Sequence, residues 1–352
     1  MRRMDRVQFF QKLAGLDDER LKKVLWNLYW RGSSAMRKRI EAELDPDQGP
    51  RKHPSQQPVN PEAVRAGVSN FVALARSGAY LAGDRRVSPS ERTRWRFTFQ
   101  GLVAGAEQAL LADDFAAGAT AMEQLIDLAC ELRGYDYFRS EDPVEAARFI
   151  VSDAAALLWA RMRDQLGFAE FAKRAAPQFV RWESRYGWTR RGSGRISEKE
   201  TSLAGVLGRM LSAPDMWLQF ADRYLDALDQ AARGAGSTPK HDWRPEGSNR
   251  EQRTADLAEW HRLLLERLLG SEAEDRLDKL TRHPALAGPE LRFFAAQLAS
   301  QRGDVGLARS LVTEALGKLP GHPRFLDFAT GIGAPLPSRA KQIIQQRQRD
   351  HR

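Results

Sequence analysis

Cysteine is almost absent from this chain of 352 residues, which contains Cys130 alone. A single cysteine cannot form an intramolecular disulfide, and a lone thiol suits a reducing compartment. Cys130 directly follows the largely apolar segment 125–129. We therefore expect an inert thiol in a hydrophobic core.

Long hydrophobic runs are also missing. The longest apolar stretches, such as residues 154–160, fall far short of the roughly 20 residues that a membrane-spanning helix requires. The first residues include Arg2, Arg3 and Arg6 but no apolar core of the kind found in signal peptides. We therefore expect a cytoplasmic protein without a membrane partner.

The sequence lacks the common catalytic and cofactor-binding motifs. It contains no P-loop, G-x-G-x-x-G, H-E-x-x-H or G-x-S-x-G pattern, so nucleotide-binding, dinucleotide-binding, metalloprotease and hydrolase functions lose their usual support. The histidines do not share a metal-ligand spacing. We therefore predict no catalytic residue, no metal and no cofactor. The histidines are His53, His241, His261, His283, His322 and His351.

Strand-like alternation of polar and β-branched residues is absent, whereas helical spacing recurs along the chain. Leu21, Val24 and Leu28 fall on one helical face, and Asp17 precedes them as a candidate N-cap. The sequence predicts an all-α fold of packed helical hairpins. Large aromatic residues expected to anchor its core include Trp95, Phe97, Trp159, Trp182 and Trp217.

Stretches rich in proline or glycine divide the chain. Closely spaced prolines between residues 46 and 61 forbid a helix and favour an extended linker. A second polar stretch contains Pro239 and Pro245. The predicted divisions are an N-terminal helical hairpin (1–45), a proline-rich linker (46–61), a central helical domain (62–232), a linker (233–250), a C-terminal helical region (251–335) and a basic C-terminal helix or tail (336–352).

Internal similarity is the most specific pattern. The segment from Pro289 to Pro320 fits two antiparallel helices, because small residues allow close approach, glycine and aspartate close the turn, and proline ends the second helix. The segment 102–128 repeats this scheme at a constant offset, with Asp113 and Asp114 in its turn. The key positions are Ala296, Gly303, Asp304, Ala308, Val312 and Ala315 in the first segment, and Ala106, Asp114, Gly118, Met122 and Leu125 in the second.

These helix pairs resemble the tetratricopeptide-repeat (TPR) family. The resemblance implies a degenerate TPR-like α-solenoid or helical bundle. The order of a hairpin, a linker and degenerate helix pairs is also similar to the helical region of bacterial SWIM-type zinc-finger-associated proteins, whose Cys-x-Cys and Cys-x-His zinc ligands this chain lacks. A shorter sequence repeat is also present, in which the same residue types recur at the same spacing. Its first copy contains Leu277, Lys279, Leu280, His283 and Pro284, and its second contains Leu316, Lys318, Leu319, His322 and Pro323.

A segment between residues 181 and 195 interleaves arginines with aromatic residues and glycines in a chain of formal net charge +9. Arginines bind phosphate, aromatic rings stack on bases, and glycines let backbone amides approach an anion. The segment is either a nucleic-acid or anion site or a solvated loop with buried aromatic anchors. Its candidate binding residues are Arg181, Arg185, Tyr186, Trp188, Arg190, Arg191 and Arg195.

Arg276 and His283 match the loose R-x(4-6)-H pattern of HEPN-type ribonucleases. This resemblance implies that the arginine would stabilise phosphate charge while the histidine transfers a proton. The alternative is a surface arginine and a histidine in an interhelical turn, which would also account for His322 in the equivalent turn.

The patterns together favour a non-enzymatic helical-repeat scaffold that binds a partner protein or peptide. The alternative is a nucleic-acid-associated protein that uses the segment 181–195, and a lesser alternative is a HEPN-like ribonuclease. The oligomeric state stays open, since the same helical scaffold supports many functions.

Overall fold

The computed structural model describes residues 12–33, 37, 40, 60–81, 84–112, 115–132, 134–185, 194–234 and 246–350. The chain divides into two compact units, Met1–Pro58 and Val59–Arg352. The regular elements of the described residues are helices, with no strand among them. The predicted all-α fold is confirmed. None of the described helices is long and apolar enough to cross a membrane.

The first unit contributes one described helix, α1 (Asp18–Arg31). Its N-cap is Asp17, as predicted, and the Asp17 side chain accepts a hydrogen bond from the Arg20 amide at 2.7 Å. The cap satisfies one of the four amides that an α-helix leaves free at its start. Most of the second predicted helix of the hairpin, and the proline-rich linker up to residue 59, lie outside the described residues.

The second unit is a succession of helices whose starts follow common capping rules. Ser88 and Glu91 form a capping box, and several helices have proline in their first turn. The helices are α2 (Pro61–Arg76), α3 (Pro89–Leu111), α4 (Phe115–Glu131), α5 (Pro143–Ala147), α6 (Val151–Val180), α7 (Leu203–Met210), α8 (Pro214–Gly234), α9 (Glu246–Asp256), α10 (Ala258–Leu268), α11 (Asp275–Thr281), α12 (Pro289–Gln301), α13 (Val305–Lys318), α14 (Pro323–Gly331) and α15 (Ser338–Asp350).

Two local departures from α-helical geometry lie near the candidate binding segment. Helix α6 bends at Gly167, whose φ of +75° favours glycine, and it then runs into a π-helical turn, Arg181–Arg185. A short 3-10 turn, Ser197–Lys199, precedes α7. Single-turn π-helices occur frequently at functional sites, which directs attention to this region.

One cluster of buried apolar side chains extends from Val68 in α2 to Leu298 in α12. Helices on both sides of the predicted linker 233–250 contribute to it, while residues 235–245 of that linker lie outside the described residues. Cys130 is buried in this cluster, as predicted. Of the predicted aromatic anchors, Trp95, Trp159, Trp182 and Trp217 are buried. The prediction is wrong for Phe97, which is 56% exposed.

Helices α12 and α13 form the first predicted pair. Gly303 in the connecting turn has a φ of +83°, and the Asp304 side chain accepts a hydrogen bond from the Leu307 amide at 3.0 Å. Both features end one helix and start the next within three residues. The small and branched positions predicted to lie between the helices are confirmed as buried: Ala296, Ala308, Val312 and Ala315.

Helices α3 and α4 form the second predicted pair, and their backbones meet at Gly118. A Cβ atom at Gly118 would lie 2.5 Å from the carbonyl carbon of Ala109 and 2.6 Å from the amide nitrogen of Leu110. The matching positions Ala106, Met122 and Leu125 are buried. Glycine at 118 therefore sets the separation of the two helices. The predicted turn residues Asp113 and Asp114 lie outside the described residues.

Replacing Gly118 by alanine should destabilise the chain, because the new methyl group would press on backbone atoms that cannot rotate away. Overpacking of this kind costs about 1–3 kcal/mol, which lowers the melting temperature by several degrees. The matched control is Gly101→Ala in α3, where a Cβ meets nothing within 4 Å. It should raise stability by about 0.5–1 kcal/mol through helix propensity. Equal thermal shifts for the two variants would contradict the close crossing.

Candidate functional site

The candidate site is the junction where the π-helical turn, α5 and the segment 194–203 meet. Arg181 begins this junction, and its guanidinium bonds Glu123 at 2.6 Å and Asp127 at 2.9 Å, both on α4. The Trp182 indole also donates to Asp127, at 2.7 Å. Arg181 is thus already held by two carboxylates, and the structure does not offer it as an unpaired cation for phosphate.

The other predicted binding residues have different placements. Arg195 is exposed and forms no ion pair with a described residue. The backbone of Arg185 belongs to the π-helical turn. The side chain of Arg185 lies outside the described residues, and so do four whole residues of the predicted set: Tyr186, Trp188, Arg190 and Arg191.

Glu183 is the most unusual group of the junction, because its carboxyl is fully buried. One oxygen, Oε1, accepts a hydrogen bond from the Leu203 amide at 2.9 Å, at the start of α7. The other, Oε2, has no hydrogen-bond partner among the described residues. Burial raises the pKa of Glu183 to about 8, and the nearby carboxylates of Glu259 and Asp256 add to the shift.

Glu183 is not among the binding residues predicted from the sequence, although the sequence carries a signal for it. Ala176, Phe179 and Glu183 occupy positions i, i+3 and i+7, so the glutamate continues the apolar face of α6. Ala176 and Phe179 are both buried. An acidic residue on the apolar face of a helix is either buried with a shifted pKa or marks the point where the buried face ends. Glu183 is buried.

Two further carboxylates bind backbone amides at this junction. Glu200 accepts from the Val151 amide at 2.7 Å and from the Ser152 amide at 2.9 Å, and it thereby caps α6, whose N-cap Ile150 has no polar side chain. Burial raises the pKa of Glu200. Both oxygens of Glu145, on α5, accept from the Ile196 amide, at 3.1 and 2.9 Å.

Gly194 lets the chain approach Glu145 closely. Its φ is +147°, and a Cβ at this position would lie 2.7 Å from the Glu145 Oε2 atom. Only glycine accommodates both the backbone angle and the contact. Three carboxylates therefore hold the segment 194–203 in place. Glu145 on α5 and Glu183 on the π-helical turn bond amides of the segment, and Glu200, within the segment, bonds the start of α6.

A separate buried polar pair lies between α8 and α10. The Tyr224 hydroxyl and the His261 Nε2 atom are 2.7 Å apart, and both residues are buried. Burial lowers the pKa of His261 to about 3, with a smaller contribution from His283, and burial raises the pKa of Tyr224 well above its usual value. Both groups are therefore neutral near pH 7, which suits packing more than proton transfer.

Arg276 and His283, the candidate ribonuclease pair, bind different turns of α8. Arg276 bonds Asp222 at 2.9 Å. His283 accepts the Ala285 amide at Nδ1, at 3.2 Å, so its Nε2–H donates to Asp229 at 3.2 Å. Asp222 and Asp229 lie seven residues apart on one helix, a rise of about 10 Å. The structure does not bring the arginine and the histidine to one point.

A small crevice near α8 is lined mainly by apolar side chains of α8, α10 and α11. It has no room for a water molecule, so it is not a small-molecule pocket. Among the described residues, no group of three or more histidine, cysteine or acidic side chains is placed to hold a metal ion.

Glu183→Gln should change how stability depends on pH. The pKa of Glu183 is about 8 in the fold against an ordinary 4.5, so the protonated form stabilises the fold. That stabilisation is complete below the ordinary pKa and is lost as pH rises through about 8. Wild type should lose up to about 1.4 kcal/mol per pH unit relative to the variant over this range.

Urea unfolding at several pH values between about pH 5 and about pH 8 measures this difference. Glu198→Gln, at an exposed glutamate of the 3-10 turn, is the matched control and should follow wild type. Parallel curves for wild type and Glu183→Gln would show that Glu183 ionises freely in the fold.

No protein-family model, no curated protein and no solved structure matches this chain. A functional assignment therefore depends on the geometry and the exposed surfaces of the described residues.

Proposed function

We propose that this chain is a non-enzymatic helical scaffold that binds a partner protein, with α1 as the docking element. The observation that carries the proposal is the exposure of apolar and aromatic side chains over residues 24–30 of α1. A cytoplasmic location suits this role, because the lone thiol of Cys130 needs no oxidising compartment.

Helix α1 buries none of its residues. Trp26 is 59% exposed, Trp30 is 69% exposed and Leu28 is 49% exposed, and the two indole rings stack at 5.8 Å. Contiguous exposed apolar surface marks interaction sites in soluble proteins, and tryptophan is enriched among residues that dominate binding energy. The surface of α1 therefore has the composition of a protein interface.

The length of α1 also favours a partner. It has 14 residues, and isolated helices shorter than about 12–15 residues are marginal in water. Most helices obtain their stability from packing of an apolar face, which α1 leaves exposed. A partner with an apolar groove would supply that packing, as in other complexes where an amphipathic helix lies in a groove.

The second unit supports a scaffold role through its repeated helix pairs. The histidines of the shorter sequence repeat have the same kind of bond: His283 Nε2 bonds Asp229, and His322 Nε2 bonds Glu290, each at 3.2 Å. Each carboxylate belongs to an earlier helix. This recurrence supports a degenerate TPR-like arrangement, in which stacked pairs present extended surfaces to protein ligands.

Trp26→Ala combined with Trp30→Ala should abolish partner binding, because each buried tryptophan anchor contributes about 2 kcal/mol or more. Affinity capture from nuclease-treated extract, quantified by mass spectrometry, compares this variant with wild type. Arg20→Ala combined with Arg31→Ala, at exposed positions of the same helix that are turned away from the tryptophan pair, is the matched control. It should retain the partner.

The proposal fails if the tryptophan variant captures the same proteins in the same amounts, or if nuclease treatment removes them from wild type. Light scattering of the purified chain completes the test. A dimer that depends on both tryptophans would make a second copy of the chain the partner in place of another protein.

A further inference from the structure

A second exposed surface, independent of α1, combines unpaired arginines with an aromatic ring. It consists of Arg96 and Phe97 on α3, Arg148 directly after α5, and Arg195 before the 3-10 turn, and all four side chains are exposed. We refer to it as the arginine–phenylalanine surface. Of these residues, only Arg195 belongs to the binding segment predicted from the sequence.

Helix α5 brings Arg148 next to α3. The Gln100 side chain donates a hydrogen bond to the Ala147 carbonyl at 3.0 Å, and the rings of Phe99 and Phe149 contact edge to face at 5.3 Å. Arg96 and Phe97 lie four and three residues before Gln100, one turn away on the same side of α3. Arg148 follows Ala147 directly, so its backbone lies next to this part of α3.

Glu145, at the centre of α5, brings in Arg195. Its two carboxylate oxygens accept from the Ile196 amide, and Arg148 lies one turn after Glu145. Arg195 immediately precedes Ile196. The short helix that precedes Arg148 therefore bonds both α3 and the segment that carries Arg195.

The arginines of this surface form no ion pair with the described residues. Arg96, Arg148 and Arg195 have no carboxylate within bonding distance among them, whereas Arg181, Arg276 and Arg302 each bind two carboxylates. Glu145, one turn before Arg148, accepts from the Ile196 amide and not from an arginine. Guanidiniums without carboxylate partners on one surface attract a polyanion.

Two local features suit a nucleic-acid ligand more than a generic anion. Phe97 is 56% exposed, and the Arg96 guanidinium lies 4.8 Å from the centroid of its ring. Arg148 has a φ of +56° and is the only non-glycine residue with positive φ among the described residues. Glycine would adopt that angle without strain, so the backbone at this position does not itself require an arginine.

We propose that the arginine–phenylalanine surface binds single-stranded nucleic acid, with guanidiniums on phosphates and the Phe97 ring stacked on an unpaired base. Planar guanidiniums bind phosphate oxygens in pairs, and base–aromatic stacking tolerates any sequence. An acidic peptide supplies carboxylates for the arginines but no planar base for the Phe97 ring, over which only the Arg96 guanidinium lies among the described cations. The proposal goes beyond the protein-binding role of α1 and does not depend on it.

Fluorescence anisotropy of a labelled single-stranded oligonucleotide, titrated with the full chain at several salt concentrations, tests the proposal. Arg96→Glu combined with Arg148→Glu should weaken binding tenfold or more and flatten the salt dependence, because each lost phosphate contact removes about 0.7 from the slope. Arg339→Glu combined with Lys341→Glu, on exposed positions of α15, makes the same change in net charge and should have little effect. Phe97→Ala should weaken binding about fivefold or more.

Arg148→Gly separates function from folding. It relieves the positive φ, so the variant should melt at the same or a higher temperature and yet bind the oligonucleotide more weakly. Equal losses for the α3–α5 and α15 charge variants, or no binding by wild type, would overturn the proposal. An acidic peptide that binds as tightly as the oligonucleotide, with Phe97→Ala unaffected, would overturn it in favour of a protein ligand.

Discussion

The buried junction depends on carboxylates that bind backbone amides. Glu200 caps α6, Glu183 caps α7 and Glu145 fastens Ile196, across 49, 20 and 51 residues of chain respectively. The first amides of a helix need acceptors, and burying them without one costs about 1–3 kcal/mol each. Acidic side chains from other parts of the chain supply these acceptors. The bonds therefore hold α5, α6 and α7 in fixed positions relative to one another.

The presence or absence of a carboxylate partner divides the arginines into two groups. Arg181 lies on a carboxylate-bearing face of α4 and contributes to the junction, whereas Arg148 and Arg96 lack such partners among the described residues. The net charge of +9 does not distinguish these groups. Pairing geometry does, because Arg96 and Arg148 are exposed and bind no described carboxylate, which leaves their charge available to a ligand.

Local and periodic features could be predicted from the sequence. The Asp17 cap, the close positions Ala296 and Ala308, and the crossing at Gly118 follow from spacing and residue size within one or two helices. Features set by distant partners could not. Arg181 finds carboxylates 54 and 58 residues away, and Phe97 is exposed although it lies between the buried rings of a largely aromatic helix segment.

Direct backbone contact at Gly118 restricts how α3 and α4 can move. Packed helices usually adjust by small sliding motions, in which interlocked side chains shift between rotamers. At Gly118 no side chain separates the two backbones, so the helices cannot come closer and a larger residue would force them apart. Arg96 and Phe97 belong to the same continuous α3, so a ligand that contacts them binds a backbone that is already ordered.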